Sequence, residues 1–280
     1  MVDPLNVLRS FSFGPFLVLS FFVGAFTLWK KGKEEYYDEN QLLDVLIAAS
    51  FYGLVGARLG FIFVHFPEFS FDILKWLSLF VYPGYLGFSG LVLGLIVLYI
   101  RAKKLKWDAY EVCDFGAIAL TIAIVCITIG MFVNGSGFGN STTLPVGMPF
   151  PGVFDRRHPT QLYAAVLYFL FFIVLWRLER VYRTFLWYRE NRRTAQTGFV
   201  FAVFWIGYGL IGLGLGLVSP PAISIFSFPV DFILYGTAIC YGLALLYVRS
   251  GRTFAILPSK KKSNVNNSNG VVPTHEHMVN

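Results

Sequence analysis

Residues 144–163 read LPVGMPFPGVFDRRHPTQLY, a segment dense in proline and glycine that lies between two long apolar runs. Such a segment predicts a loop, because proline and glycine interrupt regular helices. Long apolar runs recur on both sides of it, and each can cross the ~30 Å hydrocarbon core of a bilayer as a helix. Seven membrane helices are predicted, at 12–29, 42–66, 84–101, 112–134, 161–177, 198–218 and 229–248.

The composition agrees with this pattern. Hydrophobic residues make up 56% of the 280 positions and charged residues 14%, a balance that excludes an ordinary soluble domain. The predicted fold class is all-α, a polytopic membrane protein. We expect a single membrane-embedded domain at 1–258, with an outer loop at 135–160. The polar, Asn- and Ser-rich segment 259–280 predicts a disordered cytoplasmic tail.

The distribution of basic residues predicts the orientation in the membrane. Most lysines and arginines fall in four connections on one side of the predicted helices, at 30–33, 101–106, 177–193 and 249–262. By the positive-inside rule this side is cytoplasmic, so we expect the N-terminus outside and the C-terminus inside. The net charge of +7 is therefore a topology signal, and we expect no nucleic-acid partner.

The cysteines give no sign of a redox or metal centre. Cys113, Cys126 and Cys240 all fall within predicted membrane helices, which makes a disulfide framework or a zinc cluster implausible. No basic neighbour in sequence would stabilise a thiolate. We expect neither a metal nor a cofactor. A channel or transporter is disfavoured too, because the chain has no inverted repeat and no line of charges within the membrane.

Two features within the predicted helices leave alternatives open. Arg58, in the sequence GARLG at 56–60, is a charged residue inside a span. It either extends to the outer headgroups or binds a lipid phosphate in a bidentate manner. The glycine-rich stretch 207–216 either packs closely against another helix or forms a groove for a lipid tail.

The predicted outer loop carries the densest group of polar side chains. Cationic and hydrogen-bonding residues at a bilayer surface are what an anionic lipid headgroup requires. The group comprises Arg156, Arg157, His158, Gln161 and Tyr163.

The same region resembles the signature of the bacterial prolipoprotein diacylglyceryl transferases. Residues 134–165 read NGSGFGNSTTLPVGMPFPGVFDRRHPTQLYAA, and they share the family's Asn-Gly pair, its Leu-Pro-x-Gly and Phe-Pro-Gly segments and its Arg-His-Pro-x-Gln-Leu-Tyr block. GARLG at 56–60 is similar to the family's second-helix motif, and Tyr208-Gly209 to its sixth-helix motif. The resemblance thus extends over most of the chain.

The resemblance implies a reaction, partners and roles. Family members transfer the diacylglyceryl group of phosphatidylglycerol to the lipobox cysteine of a preprolipoprotein in the bacterial cytoplasmic (inner) membrane. The implied partners are phosphatidylglycerol, or another anionic phospholipid, and the preprolipoprotein signal peptide. His158 and Arg157 are the catalytic candidates. The phosphate-binding candidates are Arg58, Arg156 and Arg157, and the orienting candidates are Gln161, Tyr163 and Asn134.

Several polar positions of the family carry other residues here. The family's catalytic histidine, its arginines, an asparagine and its glutamates align with Ser89, Thr128, Met131, Ser136, Asn140, Ala164, Gly212 and Gly216. Two interpretations follow. The protein is either a divergent transferase that relies on the remaining cations and His158, or a catalytically degenerate member that binds phospholipid or lipoprotein without transfer.

Overall fold

The computed structural model describes residues 4–78, 82, 84–184, 197–221, 223–225 and 228–249. Long helices dominate these residues, and the strands are two residues each. The helices are α1 (Pro4–Glu34), α2 (Glu39–Val64), α3 (Phe66–Phe69), α4 (Ile73–Leu77), α5 (Gly87–Lys104), α6 (Ala109–Asn134), α7 (Thr160–Thr184), α8 (Phe199–Gly216) and α9 (Val230–Arg249). The strands are β1 (Met148–Pro149), β2 (Arg156–Arg157), β3 (Ser224–Ile225) and β4 (Phe228–Pro229).

Each of the seven predicted membrane helices corresponds to a long helix. Six of them, α1, α2, α6, α7, α8 and α9, are long and apolar enough to cross a membrane. The remaining one, α5, has 18 residues and carries Arg101, Lys103 and Lys104 in its last turn, so that its apolar part is shorter. The prediction of an all-α, polytopic membrane protein is confirmed.

Helix α6 forms the centre of the bundle. It packs against α1, α5, α7 and α8. Helix α2 packs against α5, and helix α9 packs against α8. Phe115, Ile118 and Thr121 in α6 are fully buried. Small residues allow close helix approach: a Cβ on Gly53 of α2 would lie 3.3 Å from the carbonyl oxygen of Gly90 in α5.

The glycine-rich helix α8 uses its glycines to approach α9. A Cβ on Gly209 would lie 2.6 Å from the backbone oxygen of Tyr235, and a Cβ on Gly212 would overlap the Tyr235 ring. Gly216 faces Phe232 at 3.4 Å. These contacts support the helix-packing interpretation, since larger side chains here would push the two helices apart.

Charged residues gather at one end of the bundle, which we call the basic end and define by Lys31, Lys103 and Arg249. There Lys31 Nζ lies 2.6 Å from the carboxylate of Glu179, which joins α1 to α7. The Asp114 carboxylate accepts hydrogen bonds from the backbone N–H groups of Gly198 and Phe201 at 2.8 and 2.7 Å, and so caps α8.

Two parts of the expected organisation remain predictions. The assignment of the basic end to the cytoplasm depends on the charge rule alone. The predicted domain boundary at 258 and the predicted tail 259–280 lie outside the described residues, as does most of the basic segment 177–193 beyond Thr184.

Candidate functional site

The loop between α6 and α7 folds around β2. On one side β2 pairs with β1, with Met148 opposite Arg157. On the other side Ser141 bridges to Arg157, and Thr142 N–H donates to the Arg156 carbonyl at 2.9 Å. Because β2 is bonded on both edges, the two consecutive arginines are held on a small platform, formed by β1, β2 and the bridging residue Ser141, at the end of the bundle opposite the basic end.

Backbone contacts anchor this platform to the helix ends. Gly135 ends α6 in a left-handed conformation with φ of 77°, which favours glycine. The Thr160 hydroxyl donates to the Gly137 carbonyl at 2.8 Å, at the start of α7. Gly139 leaves no room for a side chain, because a Cβ there would collide with the Val218 carbonyl and lie 2.9 Å from the Cβ of His158. The glycines of residues 135–139 thus allow the loop to fold back onto α7 and α8.

Arg157 lies above a stack of aromatic rings. Its guanidinium carbon is 5.3 Å from the ring centroid of Phe138, which itself lies 5.1 Å from the ring of the buried Phe150. Its one hydrogen bond among the described residues is a long one, 3.5 Å from Nη1 to the Gly139 carbonyl. Its Nε is buried and has no partner there. Since a buried guanidinium donor without an acceptor is costly, this side chain is suited to receive an anion.

His158 is fixed through its backbone and its ring. Its N–H donates to the Asn140 carbonyl at 3.1 Å, and its own carbonyl accepts from Gly139 N–H at 2.8 Å. The ring Nδ1 lies 3.4 Å from the Tyr163 hydroxyl. Nε2 is therefore the ring nitrogen that can face a substrate, and the side chain is half-buried.

Two of the predicted orienting residues act on the loop itself. The buried Gln161 donates from Nε2 to the Ser136 carbonyl at 2.6 Å. Asn134 Nδ2 lies 3.3 Å from the Ser136 hydroxyl. Gln161 Oε1 is buried without a partner among the described residues. The structure thus brings Asn134, Arg157, His158, Gln161 and Tyr163 into one assembly.

Arg58 lies elsewhere and has backbone partners. Its guanidinium donates to the carbonyls of Tyr82 at 2.7 Å, Gly84 at 3.0 Å and Trp76 at 3.1 Å. A further contact to the Lys75 carbonyl measures 3.3 Å, and the residue is 7% exposed. These bonds connect α2 to the end of α4 and to the backbone at Tyr82 and Gly84, a role that neither sequence interpretation included. Phosphate binding by Arg58 stays a prediction, and Arg156 is exposed on β2.

The replaced positions are occupied by side chains that bond or pack locally. The Ser89 hydroxyl donates to the Leu86 carbonyl at 2.9 Å, within its own helix. The buried Thr128 donates to the Val125 carbonyl at 2.9 Å. At position 212 the Tyr235 ring of α9 occupies the space beside the glycine. The two arginines of the loop, Arg156 and Arg157, both lie on β2.

Sequence reasoning overlooked the support under these residues. Phe138 and Phe150 form the surface on which Arg157 rests, and Thr160 and Ser136 connect the loop to α7. The spacing of Gly135, Gly137 and Gly139 was the available signal, because such runs of glycine indicate a tightly folded backbone. Among the described residues, no three His, Cys, Asp or Glu side chains come together as a metal site.

Comparison with known proteins places this assembly in a family context. The family model described as prolipoprotein diacylglyceryl transferase matches residues 6–246. The chain is similar to the phosphatidylglycerol–prolipoprotein diacylglyceryl transferase of Methylococcus capsulatus, with 27% identity over 91% of this chain and 98% of the relative. It is 31% identical to the protein of the same name from Legionella pneumophila (strain Corby), over 73% and 80% of the two chains. It is 30% identical to the protein of the same name from Rickettsia rickettsii (strain Sheila Smith), over 84% of this chain and 92% of the relative.

The match covers most of the chain. It extends from the first turn of α1 to the last turn of α9 and includes the loop that carries Arg157 and His158. The chain therefore belongs to the prolipoprotein diacylglyceryl transferase family.

Proposed function

We propose that the protein transfers the diacylglyceryl group of phosphatidylglycerol to the cysteine thiol of a preprolipoprotein, in the bacterial cytoplasmic membrane. The observation that carries this proposal is the setting of Arg157. Its guanidinium rests on Phe138, has a buried Nε without a partner among the described residues, and adjoins His158. The names of the similar proteins contain both phosphatidylglycerol and prolipoprotein, which supports these two molecules as substrates here.

The reaction breaks one bond and forms one. The cysteine sulfur attacks the glycerol carbon that carries the phosphate, a thioether forms, and glycerol phosphate leaves with the electron pair of the broken C–O bond. Arg157 holds the phosphate and stabilises the negative charge that develops on the leaving oxygen. His158 Nε2 accepts the thiol proton, while Tyr163 holds the ring through Nδ1.

The remaining candidates take supporting roles. Arg156 is exposed on β2, where it adds positive charge that attracts the approaching phosphate. Gln161 holds the Ser136 carbonyl and Asn134 contacts the Ser136 hydroxyl, and both thereby support the loop that carries the two proposed catalytic groups. Arg58 connects α2 to the backbone at Trp76, Tyr82 and Gly84 through its carbonyl contacts.

The orientation in the membrane supports this assignment. If the basic end faces the cytoplasm, as the positive-inside rule requires, the loop around β2 lies at the outer leaflet. Phosphatidylglycerol and a translocated preprolipoprotein meet at that surface. In that orientation the proposed site would be accessible to both substrates, which supports the proposal.

A transfer assay tests the proposal. Purified full-length protein is incubated with phosphatidylglycerol and a peptide that contains a lipobox cysteine, and the peptide mass is followed. We expect a gain of one diacylglyceryl group, which Arg157→Ala and His158→Asn abolish while Lys103→Gln, a charge change at the basic end, does not. The absence of any gain in the unaltered protein would contradict the proposal and favour a member of the family that only binds its lipid.

A further inference from the structure

A second cleft opens on the side of the bundle, between α5 and α9. Its volume is about 560 Å³, and none of the residues that line it belongs to the loop around β2. The floor is formed by buried residues of α6 and α8, Cys113 and Trp205. Ile96 of α5 and Tyr241 of α9 form the rim and are exposed. The cleft therefore faces the space that lipid fills around a membrane protein, and its size is that of a small-molecule site, ~300–1,000 Å³.

The floor of the cleft contains one unused hydrogen-bond donor. Trp205 is 6% exposed, and its indole N–H is buried without a partner among the described residues. Two aromatic side chains surround the indole: the ring centroid of Phe201 lies 6.0 Å from that of Trp205, and the ring centroid of Tyr241 lies 5.6 Å from it. Buried donors are nearly always paired in native proteins. An oxygen acceptor brought by a ligand would pair this one.

Positive charge lies at one end of the same cleft. Tyr99 and Tyr110 line it there, and the Arg249 guanidinium lies 3.5 Å from the centroid of the Tyr110 ring. Lys103 Nζ lies 5.4 Å from the centroid of Tyr99. Both cations belong to the basic end. A ligand whose apolar part fills the cleft would thus bring its polar end to two cations.

The acidic residues near this end are engaged with other groups. The Asp108 carboxylate accepts from the Thr197 hydroxyl at 2.8 Å and from backbone N–H groups at the start of α6. Asp114 caps α8, and Glu111 accepts from the Tyr37 hydroxyl. These hydrogen bonds leave the three carboxylates charged, but the helices that line the cleft carry four cations at this end: Arg101, Lys103, Lys104 and Arg249. The remaining positive charge favours an anionic group over a cationic one.

We propose that this cleft binds an anionic glycerophospholipid from the leaflet at the basic end, as a lipid site separate from the transfer site. The phosphate lies near Arg249 and Lys103, an ester carbonyl accepts from the Trp205 indole, and an acyl chain fills the apolar cleft. Gly198, just before α8, adjoins Tyr110. At a rise of ~1.5 Å per residue, Trp205 lies about 10 Å further along the helix axis. That depth lies on the acyl side of the phosphate, where the ester groups of a phospholipid are found.

Photolabelling tests this site. The full-length protein in nanodiscs of phosphatidylcholine receives a small fraction of phosphatidylglycerol with a diazirine in one acyl chain, and labelled residues are mapped by mass spectrometry. We expect label on cleft residues such as Ile96 and Tyr241, displaced by unlabelled phosphatidylglycerol. Label spread evenly over lipid-facing residues, including Val166 on α7, would overturn the proposal, and so would equal labelling by a phosphatidylcholine probe.

Variants identify the groups that bind. Thr237→Trp fills the cleft from α9 and should reduce the cleft label at least fivefold, whereas Leu243→Trp, a lipid-facing change on the same helix, should not. Trp205→Phe and Arg249→Gln should each weaken competition by phosphatidylglycerol several-fold. Cleft labelling that Thr237→Trp leaves unchanged would contradict the assignment. Arg157→Ala should abolish transfer and leave cleft labelling intact, so each of the two proposals can fail without the other.

Discussion

The ion pair between Lys31 and Glu179 provides a demanding test of the packing at the basic end. The two side chains are each 4% exposed and their charged atoms lie 2.6 Å apart, so solvent screens them little. Lys31 Nζ also lies 4.2 Å from the centroid of the Trp176 ring on α7. Replacement of Lys31 by Met would leave the Glu179 carboxylate buried without this cation.

The magnitude follows from that burial. Removal of one partner of a buried pair costs roughly 3–5 kcal/mol, whereas replacement of both by apolar residues is often close to neutral. We expect Lys31→Met to lower the free energy of unfolding by about 3–5 kcal/mol, and the double variant Lys31→Met/Glu179→Leu to recover most of that loss. Lys33 and Glu39 form the control pair, since they are 3.0 Å apart but 56% and 47% exposed. Their contribution should be roughly 0–1 kcal/mol.

Reversible unfolding in mixed micelles, followed by circular dichroism, measures these differences. A double-mutant cycle on each pair separates the interaction from the effects of the single changes. The reasoning would be refuted if Lys31→Met and Lys33→Met cost the same, or if the double variant at the buried pair were as unstable as the two single changes added together.

Three further changes test the loop and the cap of α8. Gly139→Ala places a methyl group against the Val218 carbonyl and should reduce transfer at least tenfold, whereas Gly214→Ala, with open space around it, should leave transfer unchanged in the peptide-mass assay. Gln161→Leu removes the donor to the Ser136 carbonyl and should destabilise the protein by about 1–3 kcal/mol, with a lower transfer rate; unchanged micelle unfolding would contradict this. Asp114→Ala removes the acceptor for two N–H groups of α8 and should cost about 1–3 kcal/mol, with faster amide exchange at Gly198 as the readout.

The membrane helices and the grouping of the loop residues could be predicted from the sequence. Within lipid every backbone polar group must bond inside the protein, so a long apolar run has few options other than a helix. Arg157, His158, Gln161 and Tyr163 are close in sequence, and a loop followed by a helix start keeps them close in space. Local spacing was sufficient for this part of the site.

The role of Arg58 and the lateral cleft could not be predicted in the same way. The partners of Arg58 are four carbonyls, which become its neighbours only when their residues fold back onto α2: those of Lys75, Trp76, Tyr82 and Gly84. The cleft at Trp205 depends on how α5 and α9 are separated by α6 and α8. Helix spacing of this kind is determined by contacts distant in sequence, and apolar periodicity alone does not encode it.

The most direct test of the central claim is to measure both products of one reaction. Phosphatidylglycerol with an isotopic label in the glycerol of its diacylglyceryl group is incubated with the protein and a lipobox-cysteine peptide. If Arg157 and His158 support transfer, the label appears on the peptide as a thioether, one glycerol phosphate is released per modified peptide, and both products disappear in Arg157→Ala. Release of glycerol phosphate without peptide modification, or equal yields from the unaltered protein and Arg157→Ala, would contradict the account.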